Sequence, residues 1–330
     1  MKVKKLPSGN WNCLVYVGTE NGKRKYESVT APTKREAEYK AAEIKLKRPS
    51  RNTMTLRQAS EKYVEIKSKS LSASTVRLYK SIMTTSMPRL MDKKICDIKQ
   101  EDIQYALNVE AASHSPKTVR NYNGLVSTVL KMFRPDFAYS VSLPRKEKKS
   151  VYIPDKKTID RIAEAIKGKR IELPFLLASK MGLRASEIAG LKYKDFDRET
   201  KTVTISRAMV RGVDGQTIKE PKSDAGYRPL PCPDQILDMI GEGPADQFVV
   251  GMTQTDITNA WSYFMRHSEE KFFSFHKLRH YFASRALLTG VPQRYIMELM
   301  GHSTPDMLNK IYQHTFPKEK EEFAKRIINM

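Results

Sequence analysis

Two polar stretches divide this chain and rule out a single continuous core. Arg48-Pro49-Ser50-Arg51-Asn52 sets a helix breaker among polar residues. Leu143-Pro144-Arg145-Lys146-Glu147-Lys148-Lys149-Ser150 is basic and holds another proline. Neither has the apolar periodicity of a helix or strand, so both read as linkers. They predict three pieces, 1–48, 53–142 and 150–330, each of which must find its own core. At 330 residues the chain is long enough to supply them.

In the first piece, Trp11-Asn12-Cys13-Leu14-Val15-Tyr16-Val17 alternates, Asn21-Gly22 marks a turn, and a second run covers Arg24 to Val29. Asn-Gly between alternating runs predicts a hairpin. Thr33 with Glu36 is a capping box that opens a helix to about Lys47. A small sheet plus one helix follows, with Lys2, Lys4, Lys5, Lys23, Arg24 and Lys25 available to a polyanion. The second piece opens on another capping box, Thr55 with Gln58, and its periodicity predicts helices near 55–68, 73–85, 100–109 and 116–132. Two of them begin alike, Ser74-Thr75-Val76-Arg77-Leu78-Tyr79-Lys80 and Ser115-Pro116-Lys117-Thr118-Val119-Arg120-Asn121-Tyr122. Ser115 before Pro116 is a strong helix start.

The third piece predicts a helix from Pro154-Asp155 through Ile166 and another from Glu172 to Met181. Gly182 breaks the latter, placing Arg184 at the start of the next helix with Glu187 one turn on. There Glu187 can hold the Arg184 fork while the guanidinium faces an anion. Turns at Asp214-Gly215 and Ser223-Asp224-Ala225-Gly226 make 201–231 a three-stranded antiparallel sheet, with Lys219 and Lys222 on its middle strand or second turn. Helical patterning resumes at Asp234. Ser274 reads as the N-cap of a helix carrying His276 and Arg279, Gly301 as a helix stop, and Ser303 to Asp306 as a capping box for a last helix bearing Tyr312. The fold class is multidomain, mainly α with small antiparallel sheets (α+β).

Charge narrows the partner. Lys and Arg number 59 against 37 Asp and Glu, a net charge of +22 and a pI near 9.7. That excess points to nucleic acid. The candidate duplex contacts are Thr75, Arg77 and Lys80, then Lys117, Thr118 and Arg120, where Thr, a cation and Tyr recur at helical spacing, and Lys146 and Lys148 on the second linker. A membrane-surface role would need a basic amphipathic helix or a lipid anchor, and neither is recognisable. No apolar run approaches the ~18 residues of a membrane span. The three cysteines, Cys13, Cys96 and Cys232, lack metal-ligand spacing and read as reduced thiols. The expected location is cytoplasmic. Gly-rich phosphate loops, a serine nucleophile elbow and the paired acidic motifs of a two-metal nuclease are not recognisable.

What remains is a set of anion-handling residues in a fixed order: Arg184, a hairpin lysine, His276-x-x-Arg279, Gly301-His302 and Tyr312. That order resembles the tyrosine recombinases, the family of lambda-type integrases and Xer-type recombinases. Gly182-Leu183-Arg184-x-x-Glu187, His276-Lys277-Leu278-Arg279-His280, Leu299-Met300-Gly301-His302-Ser303 and Tyr312-Gln313-His314 carry the resemblance. It implies a catalytic domain at 150–330, a helical core-type DNA-binding domain at 53–142 and an arm-type DNA-binding domain at 1–48. It also implies Tyr312 as nucleophile, Arg184 and Arg279 as phosphate clamps, and His276 as the proton acceptor. His302 becomes a phosphate donor, and Lys222, preferred over Lys219 because of Pro221-Lys222-Ser223, the general acid. The expected activity is integration and excision of a mobile element through a covalent 3′-phosphotyrosine, without metal or other cofactor. Expected partners are double-stranded attachment sites, three further copies of the chain in a tetramer on DNA, and accessory bending or excision factors, in a nucleoid-associated setting. The alternatives are an Xer-type chromosome or plasmid resolver, a type IB topoisomerase, and a DNA-binding regulator without catalysis.

Overall fold

The computed structural model describes residues 3–20, 23–46, 53–146, 152–219, 227–301, 304–305 and 308–309. The chain divides into two compact units, 1–67 with 79–146 and 68–78 with 147–330.

The first unit begins with strands β1 (Val3–Lys5), β2 (Trp11–Glu20) and β3 (Lys23–Ala31), antiparallel in the order β1-β2-β3. The period of two turns Cys13 and Val15 inward, where with Val29 they pack on Ala41 of helix α1 (Lys34–Leu46). Leu14 and Tyr16 stay on the outer face, where Tyr16 meets Tyr26 edge-on. The helix starts as its capping residue dictates, with the Glu36 amide donating to Thr33 Oγ1 at 3.2 Å.

Helices α2 (Leu56–Ile66), α3 (Ala73–Thr85), α4 (Pro88–Met91), α5 (Gln100–Ala111) and α6 (Pro116–Phe133) follow. Their amphipathic stripes explain the burial. Val119, Tyr122, Val126, Val129 and Leu130 line one face of α6, and Leu56 and Ala59 one face of α2, which packs on it. The Thr55–Gln58 capping box and the Ser115 cap form. Ser72 caps α3: its hydroxyl accepts from the Thr75 amide at 3.2 Å. Beyond α6 the chain is fastened down. Arg134 Nη1 donates to the carbonyls of Ile95 at 2.9 Å and Ile98 at 2.6 Å. Gln100 Oε1 accepts from the Ser140 amide at 3.0 Å, and Gln104 both accepts from the Ser142 amide at 2.7 Å and donates to its carbonyl at 3.0 Å.

The second unit contains α7 (Lys156–Ala165), α8 (Glu172–Met181), α9 (Ala185–Gly190), β4 (Phe196–Asp197), β5 (Thr202–Ile205), β6 (Ala208–Arg211), β7 (Gln216–Lys219), β8 (Arg228–Pro231), α10 (Asp234–Ile240), α11 (Gln254–Arg266), α12 (His276–Leu288) and α13 (Gln293–Met300). Its core centres on Trp261, which is fully buried against Phe175, Phe273 and Phe275 and donates through Nε1 to the Phe273 carbonyl at 2.8 Å. The single sheet expected over 201–231 is corrected here. β4, β5 and β8 form one sheet in that order, while β6 and β7 form a separate two-stranded ribbon. Val203 opposite Leu230 sets the register of β5 and β8, burying both side chains, and β6–β7 is inserted between them as an excursion. Ser274 is also corrected. Phe275, itself helical, occupies the cap of α12 without a side-chain bond, and Ser274 contributes only its carbonyl, to the Lys277 amide at 2.8 Å. Among the described residues no helix is long and apolar enough to cross a membrane.

Gly182 closes α8 at φ +69°, where a Cβ would sit 2.5 Å from the Phe282 ring, whereas Gly168 at φ +72° has open space. Gly168→Ala should therefore show only the left-handed backbone cost, about 1–2 kcal/mol. Gly182→Ala should lose clearly more in equilibrium urea unfolding. Equal losses would show that the Phe282 contact carries no weight.

Candidate active site

The site is assembled where two chain reversals meet the start of helix α12. Gly182, the left-handed end of α8, delivers Arg184 to the N-cap of α9. The Arg184 amide donates to Glu187 Oε2 at 3.0 Å and its Nη1 to Glu187 Oε1 at 2.5 Å, so backbone and guanidinium are held by one carboxylate. Gly301, left-handed at φ +61°, ends α13. Helix α12 supplies His276 and, one turn later, Arg279.

Glu187 is 5 % exposed. Burial pushes its carboxyl up, but Arg228, Arg184 and Arg279 more than reverse that and hold it below the ordinary range. Arg228 meets the same carboxylate from β8, with Nη2 3.0 Å from Oε2 and Nη1 3.4 Å from Oε1. The guanidiniums also take the end of α13. Arg228 Nε donates to the Leu299 carbonyl at 2.8 Å, Arg279 Nη2 to the Met300 carbonyl, and Arg184 Nη2 to the Gly301 carbonyl at 3.0 Å. Arg279 Nη1 donates to the Gly182 carbonyl. Helix C-termini leave such carbonyls without intrahelical partners and carry partial negative charge, which explains the attraction.

Arg279 is 1 % exposed. Burial, then the repulsion of Arg184, pushes its guanidinium down to about 9, still protonated at neutral pH. Three guanidiniums against one carboxylate leave a net charge of +2, an anion site by construction. Arg184 is the more open cation, lining with His276, Ser186, Gln254 and Thr258 a pocket of about 180 Å³. Desolvation, followed by the charges of Arg279, Arg184 and Lys277, pushes the His276 imidazole down to about 4. By surface area the residue is exposed, so solvent moderates that desolvation penalty.

The structure thus brings together Arg184, His276 and Arg279 of the sequence-derived set. Lys222, His302 and Tyr312 lie outside the described residues, as does Lys148. Lys219 is half-buried at the end of β7. Arg77, Lys80, Lys117 and Lys146 are exposed. Thr75 and Thr118 serve their own helix starts, bonding the Ser72 and Ser115 hydroxyls at 2.8 and 2.9 Å, and Arg120 Nη1 donates to the Pro116 carbonyl at 3.0 Å. Sequence reasoning missed Arg228. The available signal was its parity with Leu230 in a strand whose alternate positions are buried. Among the described residues no group of His, Cys, Asp or Glu is placed to hold a metal ion.

Half of the chain, residues 154–319, matches the phage integrase family. The chain belongs to that family. It is a tyrosine recombinase, an enzyme of DNA cleavage and rejoining. A tyrosine recombinase XerC-like protein of Caldanaerobacter subterraneus subsp. tengcongensis is 28 % identical over 278 residues, covering 70 % of this chain and 71 % of the relative. The putative prophage phiRv2 integrase of Mycobacterium tuberculosis is 27 % identical over 164 residues, covering 45 % of this chain and 44 % of its own length. In fold, the integrase of transposon Tn1549, solved with transposon right end DNA, superposes with TM-score 0.68 at 20 % identity, covering 83 % of this chain and 100 % of that one. Lambda integrase, solved as a tetramer bound to a Holliday junction, gives 0.57 at 18 % identity over 94 % of each chain. The mainly helical integrase fold with small antiparallel sheets is thereby established.

The depressed His276 pKa fixes a sign. The unfolded imidazole takes a proton near 6.5 and the folded one near 4, so stability is full above 6.5 and falls as pH drops between those values. An NMR titration of the His276 ring should show no protonation from pH 8 to 5, and His276→Gln should blunt the acid loss of melting temperature. A ring midpoint at or above 6 would contradict the site electrostatics described above.

Proposed function

We propose that this tyrosine recombinase is the integrase of a phage or conjugative element, cutting and rejoining attachment-site duplexes through a 3′-phosphotyrosine on Tyr312. The observation that supports it most is the +2 cluster of Arg184, Arg228 and Arg279 around Glu187, beside a neutral His276. A DNA phosphodiester carries one negative charge, and in-line attack adds another on the non-bridging oxygens. Fixed guanidiniums stabilise that charge best where it develops.

In this reading the Tyr312 Oη–P bond forms as the P–O5′ bond breaks. The phenol proton passes to His276, which is free to accept it because its pKa lies far below neutrality. Lys222 gives a proton to the departing 5′-oxygen, with Lys219 the alternative donor, and His302 donates to the scissile phosphate. Arg184 faces the pocket while Arg279 adds its charge from the buried side. A second 5′-hydroxyl then attacks the phosphotyrosine and restores the DNA. No metal or other cofactor takes part.

We assign 1–48 to arm-type sites, 53–142 to the core site and 150–330 to catalysis. Thr75, Arg77, Lys80, Lys117, Thr118, Arg120, Lys146 and Lys148 then lie along the duplex backbone. The working assembly is a tetramer on DNA, aided by bending or excision factors in the cytoplasmic nucleoid. The likeness to the XerC-like relative favours a second reading, a resolver of chromosome or plasmid dimers.

Nicked duplexes tiled across the DNA flanking the coding sequence test the chemistry. Wild-type chain should give adducts that survive denaturant, Tyr312→Phe none, and chelation by EDTA should leave the yield unchanged. Arg184→Lys should slow adduct formation ~100- to 1000-fold. Tight site-specific binding without adduct would favour the regulator reading, and adducts confined to chromosomal dimer sites the resolver.

A further inference from the structure

The geometry points to Arg228 as a positioning residue for strand cleavage, one that sets the Arg184 guanidinium and the end of α13 in register with each other. This rests on the reading of Arg184 and His302 as phosphate ligands.

Arg228 opens β8, an edge strand of the β4-β5-β8 sheet, in the stretch Arg228-Pro229-Leu230-Pro231. Alternation turns Arg228 and Leu230 inward and both prolines outward. The prolines cannot donate to a further strand, so β8 stays an edge. Arg228 itself is 6 % exposed.

A buried guanidinium is tolerated only when its charge and its donors are met. Arg228 meets both with two different parts of the site. Its Nη pair grips Glu187 at 3.0 and 3.4 Å, and its Nε reaches the Leu299 carbonyl at 2.8 Å. Glu187 in turn holds the Arg184 guanidinium at 2.5 Å and its amide at 3.0 Å. One continuous chain of charged bonds therefore runs from Arg184 through Glu187 and Arg228 to Leu299. Two residues beyond Leu299, the Gly301 carbonyl returns to Arg184 at 3.0 Å and closes the circuit. His302 is the next residue.

The three carbonyls at the end of α13, Leu299, Met300 and Gly301, thus go to three different arginines, 228, 279 and 184. Arg184 and Arg279 are the proposed phosphate ligands; Arg228 adds its charge to the cluster and acts on the reaction by holding the Arg184 fork and the end of α13 in position. Only an arginine can fill the place. Lysine would bring the charge but no fork, and could not span the carboxylate and the carbonyl together.

The test uses the full chain and the nicked duplexes that wild type captures covalently. Arg228→Met, which also removes one charge of the cluster, should bind that duplex within a few-fold of wild type, yet at saturating protein its first-order cleavage should fall about 100-fold, the effect of a misplacement near 1 Å. Arg228→Lys should fall comparably, because charge without the fork does not restore register. Without DNA, amide hydrogen exchange across 293–301 should accelerate in both variants, with α7 and α10 unchanged. Unaltered cleavage in Arg228→Met overturns the proposal. So does a cleavage loss matched by equal loss of binding with exchange raised throughout the second unit, which would make Arg228 a general stabiliser. If Arg228→Met does not fold, Arg228→Lys decides the same question. Absence of adducts from wild type would instead defeat the integrase reading, and the exchange comparison would still judge whether Arg228 holds the end of α13.

Discussion

The carboxylate of Glu187 is the constraint on which the site depends. A buried anion demands cations, and this one gathers guanidiniums from α9 and β8 with a third, from α12, close enough to act on its charge. Without it, Arg184, Arg228 and Arg279 would repel one another, the last two of them buried. With it, the excess is limited to what an anionic substrate can neutralise. The same carboxylate caps α9 by accepting the Arg184 amide, so local helix geometry and substrate electrostatics are set by a single side chain.

Around that point the fold behaves as a frame for helix ends. The aromatic core about Trp261 fixes α8 and α11 against the stretch leading into α12, and the left-handed glycines after α8 and α13 turn their carbonyls toward the arginines. Arg184 is thereby placed by a backbone reversal rather than by a long side chain searching for partners. Low conformational freedom of this kind favours a geometry settled before the substrate arrives.

Much of this was legible in the residues, because caps and stops are written locally. Thr55 with Gln58, Ser115 before Pro116, Asp155, Gly182 and Gly301 all mark element ends that the structure shares. So does the pairing of Arg184 with Glu187, which needs only one helical turn. The misreadings were of two kinds. Ser274 has the side chain of a cap, but Phe275, itself helical, takes that place and Ser274 gives α12 only its carbonyl. The strand order was set by Val203 opposite Leu230 across an inserted ribbon, and Arg228 was hidden for the same reason. Its partners, Glu187 and Leu299, lie 41 and 71 positions away. Long-range pairing leaves no periodic trace.

The crossed carbonyl bonds have a consequence for variation. The reversal at Gly182 offers its carbonyl to Arg279, and the reversal at Gly301 offers its own to Arg184. Each motif therefore reads the backbone of another, and neither loop is an independent module. Exchanging one of them for the matching stretch of a related recombinase would strand an arginine at a distant position, while exchanging the set together would not. Substitutions at these positions should therefore combine non-additively, as expected of residues that share partners.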